Sequence, residues 1–323
     1  LPDHLERGDD CYTMLALAAG KTDRISLFPC VTNPLSRHPW VLANIAYTMA
    51  LLGDRPTIMA TAGQDFHDYR LWLESHGIDT SAIIDIEDEF CASFFVNTDE
   101  VNNQIASFYT GAMAHASKLT FAAHAPDADM TIITPNDPGA MLNYVRECKA
   151  IGLPYIYDPS QQTARVSGEE LYEGINGCFL LSSNEYEFQL IQEKTGLSEA
   201  EILDLVGGLV MTMGPAGSRH IIDGHEEFVP VAPTRWVAEP TGAGDAYRAG
   251  LMRGMQLGLP WGVAGRLGAL AAAYVLEQFG PQNHYFTREE FVARYRESFD
   301  DEGALDVLLQ VPNTINVPLP VTR

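Results

Sequence analysis

Short apolar runs alternate with amphipathic stretches in the first part of the chain. YTMLALAA, residues 12–19, is typical of a buried strand. VLANIAYTMALLG, residues 41–53, carries apolar residues at helical spacing and ends in Gly53, a residue that favours a helix stop. PTIMATAG, residues 56–63, then predicts a strand, and DFHDYRLWLESHG, residues 65–77, predicts a helix. Strand and helix are therefore expected to alternate.

The pattern changes between residues 82 and 113, where strand-like runs follow one another with no helical stretch between them. These runs are AIIDI (82–86), CASFFVNT (91–98) and QIASFYT (104–110). Polar EDEF and DEVNN separate them, as turns separate the strands of an antiparallel sheet. We expect a small antiparallel flap here.

Strand and helix alternate again from residue 130 to residue 299. After the strand-like run MTIIT, Asp137 can cap a helix, Pro138 suits its first turn and Gly152 can end it. Ser198 and Glu201 fit a capping box for a later helix. The further predicted elements are strands PYIYD (154–158), CFLLSS (178–183) and GLVMTMG (208–214), the Asp-Gly hairpin RHIIDGHEEFVPV (219–231), and helices after Thr241, at 261–278 and at 287–299. This order predicts the α/β fold class, with a mostly parallel central sheet flanked by helices.

Composition and charge narrow the possible partners. Of the 323 residues, 46% are hydrophobic and 20% are charged, which is ordinary for a folded chain. The formal net charge of −23 repels phosphate backbones and anionic membranes, so we expect neither nucleic acid nor membrane as a partner. The five cysteines show no zinc-binding pattern and no apolar run approaches membrane-spanning length, so we expect a cytoplasmic protein. The nine histidines lack metal-ligand spacing, and we predict His67, His76, His220 and His225 at the surface.

One short stretch, EPTGAGDAYRAG at residues 239–250, carries the strongest candidate chemistry. It opens a predicted helix, where unpaired amides and the positive end of the helix dipole favour negative charge. Gly242 and Gly244 would let a phosphoryl group approach the backbone, and Asp245, about one turn in, could accept a proton from an attacking hydroxyl. The structural alternative, with Thr241 as N-cap and Asp245 complementing the dipole, leaves the glycines unexplained.

PTGAGDAYRAG resembles the second signature of the ribokinase-like (PfkB) carbohydrate kinase family. NQIASFYTGAM, NDPGAM and YIYDPSQQ are further similar to the nucleoside-kinase, adenosine-kinase-like branch of that family. The resemblance implies Asp245 as the catalytic base and the backbone of Gly242, Ala243 and Gly244 as the anion hole. It also implies a ribokinase-like three-layer sandwich with a small β-strand lid. We therefore expect one domain over residues 1–323, with the lid inserted at about 24–40 and 86–113.

The same resemblance implies ATP and Mg²⁺ as cofactors, with K⁺ as a further candidate. NEYE matches the family's N-x-x-E element, so Asn184 is expected near the nucleotide phosphates and Glu187 at Mg²⁺, through water. TMGPAGS matches the T-x-G-x-x-G turn, which would place Thr212, Gly214 and Gly217 along ATP. The alternatives are a helix capping box for the first pair and an ordinary tight turn for the second set.

Four residues are the candidates for binding the substrate. By the resemblance, Asp23 takes the place of the aspartate that holds sugar hydroxyls, and Asn44 keeps the place of the asparagine in the family's N-x-A helix. Gln104 and Phe108 would face the pocket from the lid. The alternatives are a surface turn for Asp23, a solvent-facing position for Asn44, and ordinary strand alternation for the lid pair.

The chain departs from the family where a Gly-Gly pair usually precedes the helix of Asn44, because Pro39 and Trp40 stand there. That departure puts substrate grip and lid closure in doubt more than phosphoryl transfer. We expect an ATP-dependent kinase that phosphorylates a primary hydroxyl of a nucleoside such as adenosine. The alternatives are a free-sugar kinase of the same fold and a non-catalytic nucleoside-binding protein with an altered lid. The oligomeric state stays open, with a homodimer as one candidate.

Overall fold

The computed structural model describes residues 40–98 and 104–310, without the side chains of residues 40 and 94–107. Its helices are α1 (Trp40–Leu51), α2 (His67–Ser75), α3 (Phe121–His124), α4 (Pro138–Ile151), α5 (Gly168–Ile175), α6 (Glu185–Thr195), α7 (Glu199–Leu203), α8 (Ala243–Gln256), α9 (Trp261–Leu276), α10 (Arg288–Ser298) and α11 (Asp306–Gln310). Its strands are β1 (Ala60–Gly63), β2 (Ile83–Ile86), β3 (Ser93–Thr98), β4 (Gln104–Tyr109), β5 (Thr131–Ile133), β6 (Tyr155–Tyr157), β7 (Leu180–Asn184), β8 (Gly208–Thr212), β9 (Ser218–Ile222) and β10 (His225–Val229). Short 3₁₀ helices lie at Gly111–Lys118, Ser160–Ala164 and Gly214–Ala216. The strand predicted at residues 12–19 lies outside the described residues.

The main sheet has six strands in the order β10-β9-β8-β7-β6-β5. Strands β5 to β8 are parallel, while β9 and β10 form the predicted antiparallel hairpin. Both faces of the sheet are buried: Tyr155 and Tyr157 of β6 pack with α4, α5 and α6, and Ile156 packs with α1, α8 and α9. The sheet therefore lies between two helical layers, as the α/β prediction requires.

The predicted flap is only partly present. β3 and β4 form an antiparallel hairpin, in register from Ser93 opposite Tyr109 to Thr98 opposite Gln104. AIIDI does not belong to it, because as β2 it pairs in parallel with β1. The physical reason is burial: Ile83 of β2 is buried in the same apolar cluster as α1 and α8. The prediction of a flap that includes all three strand-like runs is wrong for β2.

The predicted helix caps are present. The Asp137 side chain accepts a hydrogen bond from the backbone of Ala140, and Pro138 is the first residue of α4. Gly152 ends this helix with a φ of 73°, a value that glycine adopts without strain. The capping box of Ser198 and Glu201 is also formed. Helix boundaries in this fold are thus encoded locally.

Glycines allow α8 and α9 to pack closely. A Cβ on Gly250 would lie 2.6 Å from the Cα of Gly268, and a Cβ on Gly254 would lie 2.5 Å from the Cβ of Ala264. Larger side chains at these positions would separate the two helices. The contact fixes α8 in the core, and with it the N-terminal end of that helix at the edge of the sheet.

Two of the four histidines predicted at the surface are buried. His76 is 6% exposed and His220 is 1% exposed, whereas His67 and His225 lie at the surface as predicted. The register of β9 places His220 opposite Val210 of β8 and turns its ring into the core, where Nε2 lies 2.7 Å from the hydroxyl oxygen of Tyr247. Burial lowers the pKa of His220 to about 4. In the part of the chain that the structure describes, no helix has the length and hydrophobicity needed to cross a membrane.

Candidate active site

The N-terminal end of α8 is built on a glycine, not on a side-chain cap. Gly242 is the N-cap residue, with a φ of 84° and no side-chain hydrogen bond to the helix. The alternative in which Thr241 caps the helix is therefore wrong. The amide of Ala243 donates to the carbonyl oxygen of Pro240 at 3.2 Å, so within the first turn this amide has a local partner. A helix end with this geometry presents the positive end of the helix dipole without a capping side chain.

Gly242 is also required by a close contact. A Cβ at this position would lie 2.4 Å from the Cβ of Pro281, in the loop that follows α9. The same Cβ would lie 3.7 Å from Nδ2, the side-chain amide nitrogen of Asn44. The helix end is thus enclosed by α1 on one side and the Pro281 loop on the other.

Asp245 lies within the first turn of α8 and is held by two neighbours. Asn44 of α1 donates from Nδ2 to Oδ2 of Asp245 at 2.8 Å, and Arg248 donates from Nη1 to Oδ1 at 3.1 Å. Burial raises the pKa of Asp245 to about 6, against the opposing effects of Arg248 and Asn44, and the charge of Glu187 raises it further. A pKa near 6 leaves the carboxylate mostly ionised near neutral pH, so it is chemically able to accept a proton.

Asn44 does not face solvent. Its side chain is 2% exposed and is directed at Asp245, so the solvent-facing alternative is wrong. Its Oδ1 atom is buried and has no hydrogen-bond partner among the described residues. A buried acceptor without a partner costs free energy, and a hydroxyl donor placed beside it would remove that cost.

Arg248 was not identified from the sequence. It is 12% exposed and forms an ion pair with Asp245 on its own helix and a second, through Nε and Nη2, with Asp158 at the end of β6. Asp158 is fully buried, and burial raises its pKa to about 7 while Arg248 opposes that rise. The spacing of Arg248 three residues after Asp245 is the signal that could have indicated the contact.

Asn184 and Glu187 form the capping box of α6. Asn184 Oδ1 accepts from the amide of Glu187 at 2.8 Å, and Glu187 Oε2 accepts from the amide of Asn184 at 2.9 Å. The other carboxylate oxygen, Oε1, accepts only a 3.3 Å hydrogen bond from Ser160 among the described contacts. The charge of Glu187 also raises the pKa values of Asp158 and Asp245, so the three carboxylates influence one another electrostatically. The capping box therefore uses Oε2 of Glu187 and does not use Oε1.

The predicted nucleotide turn lies beside this box. Thr212 is the last residue of β8 and is paired with Asn184 of β7 in the parallel register. Gly214 and Gly217 have positive φ values of 54° and 98° in the turn that leads to β9. A Cβ on Gly217 would lie 2.3 Å from the carbonyl oxygen of Val229. The tight-turn alternative is therefore satisfied, and the turn lies at the carboxyl edge of the sheet, where open α/β sheets bind ligands.

The lid candidates are only partly described. Phe108 lies on β4 opposite Phe94 and is 44% exposed. Gln104 begins the same strand, and its side chain is outside the described set. Asp23 and Pro39 also lie outside the described residues. The structure thus brings Asn44, Asp245 and Gly242 together and does not test Asp23 or Gln104.

A comparison with known protein families shows the family to which this chain belongs. The model of the pfkB family of carbohydrate kinases matches residues 42–288, which is most of the chain and includes most of α1, the main sheet and the Gly242 helix end. The chain belongs to this family. A model of the luciferase-like monooxygenase family matches residues 1–79. That second match covers less than half of the chain, and from residue 42 onward the pfkB model describes the same residues, so it assigns nothing.

Known relatives match about four fifths of this chain. The chain is 30% identical to a nucleoside kinase of Methanothermobacter thermautotrophicus, over 80% of this chain and 84% of that protein. A solved nucleoside kinase of Burkholderia thailandensis, in complex with inosine, superimposes with a TM-score of 0.76 at 33% identity, over 80% of this chain and 87% of that one. The Methanocaldococcus jannaschii nucleoside kinase, described as an archaeal member of the ribokinase family, gives a TM-score of 0.73 at 28% identity, over 80% and 86%. The predictions of a ribokinase-like α/β fold and of the nucleoside-kinase branch are confirmed. The chain is a phosphotransferase that acts on a hydroxyl group.

Proposed function

We propose that the protein is an ATP-dependent nucleoside kinase, in which Asp245 takes the proton of the attacking hydroxyl. The observation that carries the proposal is the position of Asp245, a partly desolvated carboxylate in the first turn of a helix whose N-cap is Gly242. The relatives named above are nucleoside kinases, and a second Burkholderia structure, 34% identical, is described as an ADP-inosine complex. A nucleoside acceptor and an adenine nucleotide donor are therefore the favoured pair.

The proposed reaction joins the 5′-hydroxyl oxygen of the nucleoside to the γ-phosphorus of ATP. The bond between that phosphorus and the β,γ-bridging oxygen breaks, and ADP leaves with the electron pair. The hydroxyl proton passes to the Asp245 carboxylate and is later released to water. Since burial raises the pKa of Asp245 to about 6, the base is ionised at neutral pH and is lost as the pH falls below that value.

Backbone and side-chain dipoles around Asp245 fit the remaining roles. The helix end from Gly242 to Gly244 can receive the charge of the transferring phosphoryl group, because its N-cap is a glycine and no side chain caps the helix. The unpartnered, buried Oδ1 of Asn44 can accept from a substrate hydroxyl. Thr212, Gly214 and Gly217 are proposed to lie along ATP, in the turn after β8. Phe108 and Gln104 are proposed to cover the nucleoside from the lid.

The residues beside α6 fit Mg²⁺, which prefers oxygen ligands and keeps several waters. The fit rests on Glu187. Among the described contacts its Oε1 atom accepts only a long hydrogen bond from Ser160. Its charge also raises the pKa values of Asp158 and Asp245. Glu187 would hold the ion through water, with Asn184 nearby. When bound, the metal would neutralise charge on the nucleotide phosphates.

Replacing Glu187 with Gln should separate its two roles. Glutamine keeps the capping box of α6 but removes the charge, so we expect an unchanged melting temperature and a several-fold higher Mg²⁺ concentration for half-maximal rate. The measurement is the initial rate against free Mg²⁺ at saturating nucleotide. Glu201→Gln, in the capping box of α7, is the matched control and should leave the Mg²⁺ dependence unchanged. Equal Mg²⁺ dependence of both variants would limit Glu187 to capping.

A substrate panel tests the proposed function directly. ADP formation is measured with adenosine, inosine, cytidine, ribose, fructose and fructose 6-phosphate, each with and without K⁺. We expect the highest kcat/KM with a nucleoside. Preference for a free sugar would favour the sugar-kinase alternative, and nucleoside binding without ADP formation would favour a non-catalytic binding protein. Faster ADP formation with K⁺ than with an equal concentration of Na⁺ would support K⁺ as a third cofactor.

A further inference from the structure

A partly buried arginine links the proposed base to a second carboxylate at the sheet edge. Arg248 is 12% exposed and lies between Asp245 of α8 and Asp158 at the end of β6. We propose that Arg248 is a positioning residue for phosphoryl transfer: it fixes the Asp245 carboxylate and is itself fixed by Asp158. This inference rests on the proposed role of Asp245 as the base.

The contacts use different sides of the guanidinium group. Nη1 donates to Oδ1 of Asp245 at 3.1 Å, while Nη2 donates to Oδ1 of Asp158 at 3.0 Å and Nε pairs with the other oxygen of Asp158. The rigid fork of arginine can make these contacts at once, whereas the single ammonium of lysine cannot. Because Asp158 is fully buried at the end of a parallel strand, it anchors the fork to the sheet.

Arg248 and Asn44 together determine the orientation of Asp245. Asn44 holds Oδ2 from α1, and Arg248 holds Oδ1 from the next turn of α8. Nη1 of Arg248 would also lie 3.2 Å from a Cβ on Gly244, so its positive charge is next to the proposed anion hole. A carboxylate held at both oxygens keeps one geometry relative to the helix end, and misplacement by about 1 Å can cost about 10²-fold in rate.

The ionised state of Asp245 depends on the charges that face it. Three charged residues surround it: Arg248 on α8, Asp158 at the end of β6 and Glu187 on α6. Its fourth neighbour, Asn44 on α1, is neutral. Arg248 is the positive group in this set and lowers the pKa of Asp245, whereas Glu187 raises it. Loss of the guanidinium contact should therefore raise that pKa and reduce the ionised fraction at pH 6 to 7.

Two variants test the proposal. Arg248→Lys keeps a charge but loses the fork, and Arg248→Met combined with Asp158→Asn removes both partners so that no buried charge is left alone. For each folded variant, we expect the acid limb of kcat/KM for the nucleoside to move up, by about one pH unit in the double variant and less in the lysine variant. We also expect kcat to fall about tenfold or more, with little change in KM.

Arg253 provides a matched control on the same helix. It is 7% exposed and donates to the carbonyl oxygens of Leu52 and Gly53, away from the carboxylates of the site. Arg253→Lys should lower thermal stability as much as Arg248→Lys does, or more, without moving the acid limb. If both Arg248 variants fold and keep the parental acid limb and kcat, the proposal is overturned. If the parent protein forms no ADP with any nucleoside, the proposed function itself fails, which is a separate result.

Discussion

Replacing Asp245 with Asn is expected to lower kcat for nucleoside phosphorylation by about 10²-fold or more. Asparagine keeps the size of the side chain and its contact with Asn44 or Arg248, but it cannot take the hydroxyl proton. Nucleotide affinity should stay nearly intact, because the glycine backbone and the turn after β8 are unchanged. Steady-state kinetics and nucleotide binding by calorimetry would measure the two effects separately.

The pH dependence gives this prediction a second readout. In the parent protein the acid limb of kcat/KM should fall near pH 6, since burial raises the pKa of Asp245 to that value. The residual activity of the Asn variant should lack this limb. Unchanged turnover in Asp245→Asn, or an acid limb that persists in it, would remove the base assignment.

Replacing Gly242 with Ala is expected to damage both stability and activity. At a φ of 84° an added Cβ is strained, and it would lie 2.4 Å from the Cβ of Pro281. Strain and overpacking together should cost at least about 2 kcal/mol of unfolding free energy. Because relief requires movement of the helix end or of the Pro281 loop, kcat should fall as well. Denaturant unfolding and steady-state kinetics measure the two losses.

Gly244→Ala is the matched control for stability. Gly244 is exposed and has a helical backbone, and the nearest atom to an added Cβ is Nη1 of Arg248 at 3.2 Å, a much milder contact than the 2.4 Å at Gly242. Alanine is also the better helix former, so this variant should unfold at the same denaturant concentration as the parent or higher. Equal stability of the Gly242 and Gly244 variants would contradict the close-contact account of the helix end.

The sequence predicts the elements and the chemistry of this fold well where the signal is local. The caps at Asp137 and Asn184 and the hairpin of β9 and β10 each depend on residues a few positions apart, and the structure contains them. The glycines before Asp245 also carried their own signal, since a helix start has no need of them. Local rules therefore identified the helix end that forms the candidate site.

Contacts between distant elements were not accessible to the same reasoning. Helical spacing cannot tell that Asn44 faces a carboxylate 201 residues away, or that the register of β9 buries His220. AIIDI was assigned to the flap because its strand signal does not name its partner, and the burial of Ile83 decided the pairing. The contact of Arg248 with Asp158 could not be predicted in this way, because the two residues lie 90 positions apart in the chain.

The most direct measurement is a crystal structure of the protein with a nucleoside, ADP and aluminium fluoride as a phosphoryl mimic. The account predicts the 5′-hydroxyl oxygen within about 2.6–3.2 Å of the Asp245 carboxylate, with the fluoride group against the backbone from Gly242 to Gly244. A nucleoside whose 5′-hydroxyl is bound away from Asp245, with the fluoride group distant from this helix end, would contradict it.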